Sequence, residues 1–319
     1  MPAPSRRARL RSLAKLNLSL LVLHKRVDGY HELRTVFQTI SLADAIDIEF
    51  TPGRGRTVEL ESELDIPDNL IVRAASLLMG ELKIRGRARF RLRKNIPMGG
   101  GLGGGSSNAA AVLLALPVLA GVPAGLAKLT SLGEQLGADV PFFLHGGTAL
   151  GVGKGTELYP LPEVPERPAL VVAPSIHVAT AGAYRALDRS LTEDAMPGRM
   201  NSLQGFLWRE GDSAPAGAWD GGNDFETVVF RQHPLLGTIK RKLKRAGASL
   251  ALMTGSGSAV FGVFDSVAGR DRARTLFGRE LVYPVKLVNR RSYRALWWRQ
   301  LRDHIAERKW PPQSRYLKK

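Results

Sequence analysis

The chain has 319 residues, 44% of them hydrophobic, no cysteine and a formal net charge of +17. This length exceeds one average compact domain and carries enough apolar material for two, which excludes a disordered chain or a small stapled scaffold. The missing cysteines exclude disulfides, thiolate metal sites and thiol nucleophiles. The positive charge suits an anionic partner without choosing among phosphorylated small molecules, nucleic acid and lipid. Much of the excess is terminal, since residues 290–319 hold ten Lys or Arg against Asp303 and Glu307. No run approaches the roughly 18 apolar residues of a membrane span, and the basic start lacks a signal-peptide core, so a cytoplasmic protein is expected.

In chain order, residues 1–12 read as a basic arm. Residues 14–23 alternate as a half-buried strand interrupted by Lys15 and Asn17, two polar residues that need a reason. A turn at Asp28 and Gly29 precedes strands over 33–40 and 45–50, and Pro52-Gly53 closes that section. Residues 69–82 have helical spacing and 88–92 alternate as a strand. A glycine-rich stretch then opens a helix over 106–116, with serines for an N-cap and Pro117 as its stop.

A helix over 124–136 leads to the junction Gly-Ala-Asp-Val-Pro, which carries Asp139. The proline-rich residues 160–168 mark the passage into a second domain, with strands over 169–173, 251–253 and 259–264 and a helix over 235–245. The expected organisation is an N-terminal domain over 13–155, a C-terminal domain over 156–289 and a basic extension over 290–319. Within that extension, residues 294–310 have helical spacing for Leu296, Trp297, Leu301 and Ile305, which suits docking on the body or an anionic surface.

The most informative stretch is Pro97, Met98, Gly99, Gly100, Gly101, Leu102, Gly103, Gly104, Gly105, Ser106, Ser107 and Asn108, immediately before a strongly apolar helix. Glycines let backbone N–H groups approach an anion, and a helix start favours negative charge, so phosphate is the natural guest. No Gly-Lys-Ser/Thr closes the loop and its glycines are too crowded for a dinucleotide fingerprint, which excludes the two commonest phosphate cradles.

This loop resembles that of the GHMP kinases, and its tripled glycines followed by Ser-Ser-Asn-Ala-Ala are similar to the diphosphocytidyl-methylerythritol branch. Three more segments agree in the same order: Ala14 to Leu18 with Asp28 to Leu33, Gly137 to Phe142, and Met253 to Phe261. The resemblance spans residues 12–288. It implies an α/β (α+β), two-domain fold with ATP and a small-molecule substrate in the interdomain cleft, in a monomer or homodimer. Mg2+ is expected with ATP, without a dedicated metal cluster. The reaction implied is phosphorylation of 4-diphosphocytidyl-2-C-methyl-D-erythritol. Homoserine or mevalonate kinases are the alternatives within the superfamily, and nucleic-acid binding is the alternative outside it.

Phosphoryl transfer to an alcohol needs positioning, charge neutralisation and removal of the hydroxyl proton. By resemblance, Asp139 is the base and Lys15 stabilises developing negative charge, with residues 97–107 holding ATP. Read alone, Asp139 is a turn or helix-cap aspartate and Lys15 a solvent-facing strand lysine. Asn17 lies on the same strand face as Lys15 and either touches substrate or makes a structural bond. The resemblance further implies that Tyr30 stacks on the cytosine, His31 reaches the base edge and Tyr184 closes the other face. Ser256, in the second glycine segment Thr254 to Ser258, is expected to contact substrate, the other reading of that segment being a plain strand-entry turn. Asn69 either meets the adenosine end or caps the helix it precedes.

Overall fold

The computed structural model describes residues 4–188, 221–278 and 280–317. Its architecture is mixed α/β, built on two sheets. The first has six strands: β1 (Arg6–Lys25), β2 (His31–Pro52), β3 (Arg56–Ser62), β4 (Gly86–Arg93), β5 (Thr148–Gly153) and β6 (Glu157–Pro160). Its path runs β3-β4-β2-β5-β6, with β1 paired to β2. All neighbours are antiparallel except β3 and β4, which are joined through helix α1 (Leu70–Glu81). The second sheet runs β10-β7-β9-β8, all antiparallel, from β7 (Pro168–Ala173), β8 (Leu250–Met253), β9 (Val260–Val263) and β10 (Leu281–Lys286).

One long hairpin ties the sheets together. The strands expected over 33–40 and 45–50 are a single strand, β2, because Thr39, Ala43 and Asp44 pair with β1 and Ile40 bridges Leu287 across an irregular stretch of the β1 register. Along β1, Leu10 and Leu13 belong to the first core, while Ala14, Leu16 and Leu18 pack against Val171 and Phe261 of the second sheet. The strand therefore passes from one core to the other between Leu13 and Ala14, immediately before Lys15.

Helices α2 (Gly104–Ala120), α3 (Leu126–Leu136) and α4 (Val140–His145) cover the first sheet with α1. Helices α5 (Thr180–Asp188), α6 (Phe225–Gln232), α7 (Pro234–Arg245) and α8 (Val267–Arg274) belong with the second. Pro117 does not stop α2, which runs on to Ala120 before Gly121 ends it in the left-handed conformation. Proline removes a donor and crowds the preceding turn. Here burial of Pro117, Val118 and Leu119 offsets that cost, and the final carbonyls find partners: Gly121 N donates to Pro117 O at 2.9 Å, Ser314 Oγ to Val118 O at 2.6 Å, and Arg6 Nη1 to Leu119 O at 2.6 Å.

Those last two donors come from opposite ends of the chain, and both ends are integral. Arg6 to Ser12, read above as part of a basic arm, form the first third of β1 in register with Phe50 to Asp44; residues 1–3 lie outside the described residues. In the C-terminal extension the helix is α9 (Arg290–Gln300), starting before the expected residue 294 and ending ten residues short of the expected 310, and Tyr293, Trp297 and Leu301 are buried in the first core. Residues 318–319 lie outside the described residues. The apolar stripe thus docks on the body. No helix of the described residues is long and apolar enough to cross a membrane.

Candidate active site

The site begins with irregular strand pairing. The β1–β2 register shifts between Leu13 and Lys15 and again between Asn17 and Ser19. Such bulges re-aim side chains, and these two bracket the polar residues that interrupted the strand pattern. Lys15 and Asn17, two residues apart on one face, are joined by a 2.7 Å bond from Lys15 Nζ to Asn17 Oδ1. Lys15 is almost wholly buried, so the solvent-facing reading of it fails. Its ammonium lies 3.4 Å from Asp139 Oδ2 and 5.3 Å from the centre of the Phe37 ring. Burying an ammonium requires such partners.

Asp139 sits at the N-cap of α4, yet its side chain makes no capping hydrogen bond. Its carboxylate faces Lys15 with 33% of the side chain exposed, so it is reachable from outside. Asn17 is held from three sides. Its Nδ2 donates to Thr35 Oγ1 at 2.7 Å, Thr254 Oγ1 donates to its Oδ1 at 3.2 Å, and its backbone N donates to Thr254 Oγ1 at 3.1 Å.

The glycine loop lies against this strand, with Lys15 N donating to Leu102 O at 3.0 Å. Gly103 precedes α2 in the left-handed conformation, and the first-turn N–H groups of a helix lack partners within it. Ser106 and Ser107 lie inside the helix rather than capping it, and Ser107 Oγ donates to Leu13 O at 2.7 Å. The second glycine segment touches the first backbone to backbone. Gly101 has φ +76°, and a Cβ there would fall 2.1 Å from Thr254 O; one at Gly257 would fall 2.5 Å from Gly101 N. Only glycine permits that approach.

One buried carboxylate ties both ends of the loop, which sequence reasoning missed. Asp44 Oδ1 accepts from Asn95 N and Ile96 N, each at 2.8 Å. Its Oδ2 accepts from Lys94 Nζ at 2.5 Å and Asn108 Nδ2 at 3.0 Å, and Ser12 Oγ donates to Asn108 Oδ1. Residues 94–96 enter the loop and Asn108 leaves it. Nothing local singled it out, because the same strand also carries Glu32, Asp47 and Glu49.

The remaining expected residues divide. His31 stacks on Tyr184 with ring centres 4.6 Å apart, and Tyr184 meets Phe225 edge-on at 4.8 Å. Tyr30 stands elsewhere, 59% exposed, with Lys154 Nζ 4.0 Å from its ring centre and its N–H donating to Asp28 Oδ1 at 3.1 Å. Ser256 Oγ donates to Thr180 Oγ1 at 3.1 Å. Asn69 caps α1, its Oδ1 accepting from Ile71 N at 3.0 Å. Met98 is exposed and Leu102 buried, so the loop has one face to solvent and one to the core.

Burial, and after it the Asp139 charge, push the Tyr184 hydroxyl up to about 12. The folded state therefore holds this proton more tightly than the unfolded chain, where the phenol titrates near 10. The associated stability is present below pH 10 and lost as pH rises from 10 to 12. Tyr184→Phe is expected to remove a loss on the order of 2 kcal/mol across that window, read from urea midpoints at pH 9.5 and 11.5.

Residues 69–147 match the family model for the GHMP kinases N terminal domain and residues 209–277 that for GHMP kinases C terminal. A 4-diphosphocytidyl-2-C-methyl-D-erythritol kinase of Solibacter usitatus (strain Ellin6076) is 56% identical over 98% of this chain and 98% of its own length. The chain belongs to the GHMP kinase family. A crystal structure of 4-(cytidine 5'-diphospho)-2C-methyl-D-erythritol kinase superposes on this GHMP kinase with a TM-score of 0.72 and 37% identity, covering 88% of this chain and 98% of that one. Homoserine kinase from Cytophaga hutchinsonii ATCC 33406 shares the fold, with a TM-score of 0.70 at 17% identity over 88% of this chain and 97% of its own. The glycine loop, Asp139 and all of α1 to α3 fall within the N-terminal match, while Lys15 lies on β1 before it.

Proposed function

We propose that this protein phosphorylates the 2-hydroxyl of 4-diphosphocytidyl-2-C-methyl-D-erythritol with ATP, giving the 2-phosphate and ADP, in the methylerythritol phosphate route to isoprenoid precursors. The observation that carries the chemistry is a carboxylate, Asp139, that caps nothing and faces a buried lysine beside a glycine loop. Similarity to kinases of that name, 56% identical in one case, supports the substrate.

In this reading Asp139 accepts the hydroxyl proton on a carboxylate oxygen. Lys15, pinned by Asn17, holds a positive charge where negative charge develops. The loop from Pro97 to Ser107 and the start of α2 bind phosphate through backbone N–H groups, and the second glycine segment with Ser256 closes the site from the other sheet. Asp139, with 33% of its side chain exposed, is a carboxylate that would reach a Mg2+ arriving with ATP, since Mg2+ commonly keeps phosphate and water ligands beside one or two carboxylates. When bound, it neutralises charge passing between the phosphates.

Tyr30, His31 and Tyr184 serve the cytidine end. Because His31 covers Tyr184, a base can stack on Tyr184 only if the imidazole swings to the base edge, where it can hydrogen-bond. Asn69 positions α1 at the adenosine end through its cap. The protein works in the cytoplasm as a monomer or homodimer.

The test is ADP release by the purified protein with Mg-ATP and 4-diphosphocytidyl-2-C-methyl-D-erythritol, beside homoserine and mevalonate. Release with the cytidyl substrate alone is expected. Release only with another alcohol would leave the kinase chemistry standing and overturn the substrate.

A further inference from the structure

We propose that the C-terminal segment, residues 290–317, is a brace that positions Asp139 through α4; this rests on the reading of Asp139 as the base. With six residues, α4 is too short to hold its own geometry. The carbonyls at its C-terminal end have no partners inside the helix. The extension supplies them. The Tyr293 hydroxyl donates to Phe143 O, Trp310 Nε1 donates to Leu144 O at 3.1 Å, and Arg290 Nε donates to Gly146 O at 3.2 Å. All three donors lie beyond the residues that match the family models, which end at 277.

The other side of α4 rests on the reacting groups. The space beside Gly103 is filled by the Phe143 ring, 2.8 Å from where a Cβ would stand, and by Lys15 Cγ at 3.1 Å. The Phe142 ring packs on Phe37 at 5.0 Å, and Lys15 Nζ stands over Phe37. The extension thus grips α4 from behind while its front carries Phe142 and Phe143 against Lys15 and the glycine loop. A displacement of α4 moves Asp139 relative to Lys15, and errors of about 1 Å in such placement cost up to about 100-fold in rate.

Tyr293 and Trp310 are positioning residues, and the experiment combines Tyr293→Phe with Trp310→Phe in the full chain, removing two donors while keeping aromatic rings. The expected result is a fall in kcat of about 10-fold, with KM for ATP within about twofold of the parent's and an unfolding midpoint above the assay temperature. In an Asp139→Asn background the same pair is expected to change the residual kcat by less than about twofold, since a misplaced base no longer matters. An unchanged kcat in the parent background, or an equal fall in the Asp139→Asn background, overturns the brace. An Asp139→Asn protein as fast as the parent overturns the base assignment and the brace with it; failure of the brace alone leaves Asp139→Asn slow. Should the pair unfold, Trp310→Phe alone carries the same comparison.

Discussion

Asp139→Ala is expected to lower kcat with 4-diphosphocytidyl-2-C-methyl-D-erythritol by about 10²–10⁴-fold, the range general-base removal commonly produces, while KM for ATP changes little. The reason is geometric. Asp139 is the carboxylate that faces Lys15, 3.4 Å away, and its side chain holds no helix cap whose loss would unfold α4. Lys15 keeps its 2.7 Å bond to Asn17 in the variant, so the buried ammonium retains one partner and the protein stays folded. Steady-state kinetics beside a thermal melt check both halves. A kcat within tenfold of the parent's would mean that the proton leaves by another route, and that Asp139 acts mainly through its charge on Lys15.

The second large effect falls on stability. Asp44→Ala is expected to destabilise the fold by about 3–5 kcal/mol, as breaking one side of a buried ion pair does, and to raise KM for ATP. The Asp44 side chain is fully buried and that of Lys94 is 8% exposed. Without the carboxylate, Lys94 loses its ion partner, and Asn95 N, Ile96 N and Asn108 Nδ2 lose an acceptor. Asp44→Asn keeps one acceptor oxygen for the two backbone donors and is expected to fall between parent and alanine variant. Urea unfolding gives the ranking. If Asp44→Ala melts with the parent, the loop ends are held by their glycine contacts alone.

These two residues also show what a sequence exposes. Asp139 is legible because its neighbours Gly137, Ala138, Val140 and Pro141 form a recognisable run, and because two polar interruptions at Lys15 and Asn17 stand out in an apolar strand. The helices α1, α3 and α7 are legible from their periodicity to within two residues. Asp44 is hidden, since its partners lie 50 to 64 positions away and nothing local marks a strand aspartate as buried. The division of β2 into two strands fails for a related reason, because its continuity depends on pairing with β1 rather than on its own pattern. Pro117 misleads in the opposite direction: a strong local rule yields to carbonyl partners supplied by Arg6 and Ser314. The tripled glycines mark a phosphate loop, but the backbone contact between Gly101 and Gly257 needs both sheets in place.

The meeting of the two chain ends has a consequence for synthesis. Arg6 lies 3.8 Å from the ring centre of Tyr316, and His304 Nε2 meets Arg7 O at 2.8 Å. The edge of β1 is therefore completed by residues almost 300 positions further along the chain, and this part of the first sheet closes only once residues 304–316 have been made and have come back to it. A long-range closure of that kind is slow by topology, and until it happens the apolar surface it covers is open to proteases and aggregation.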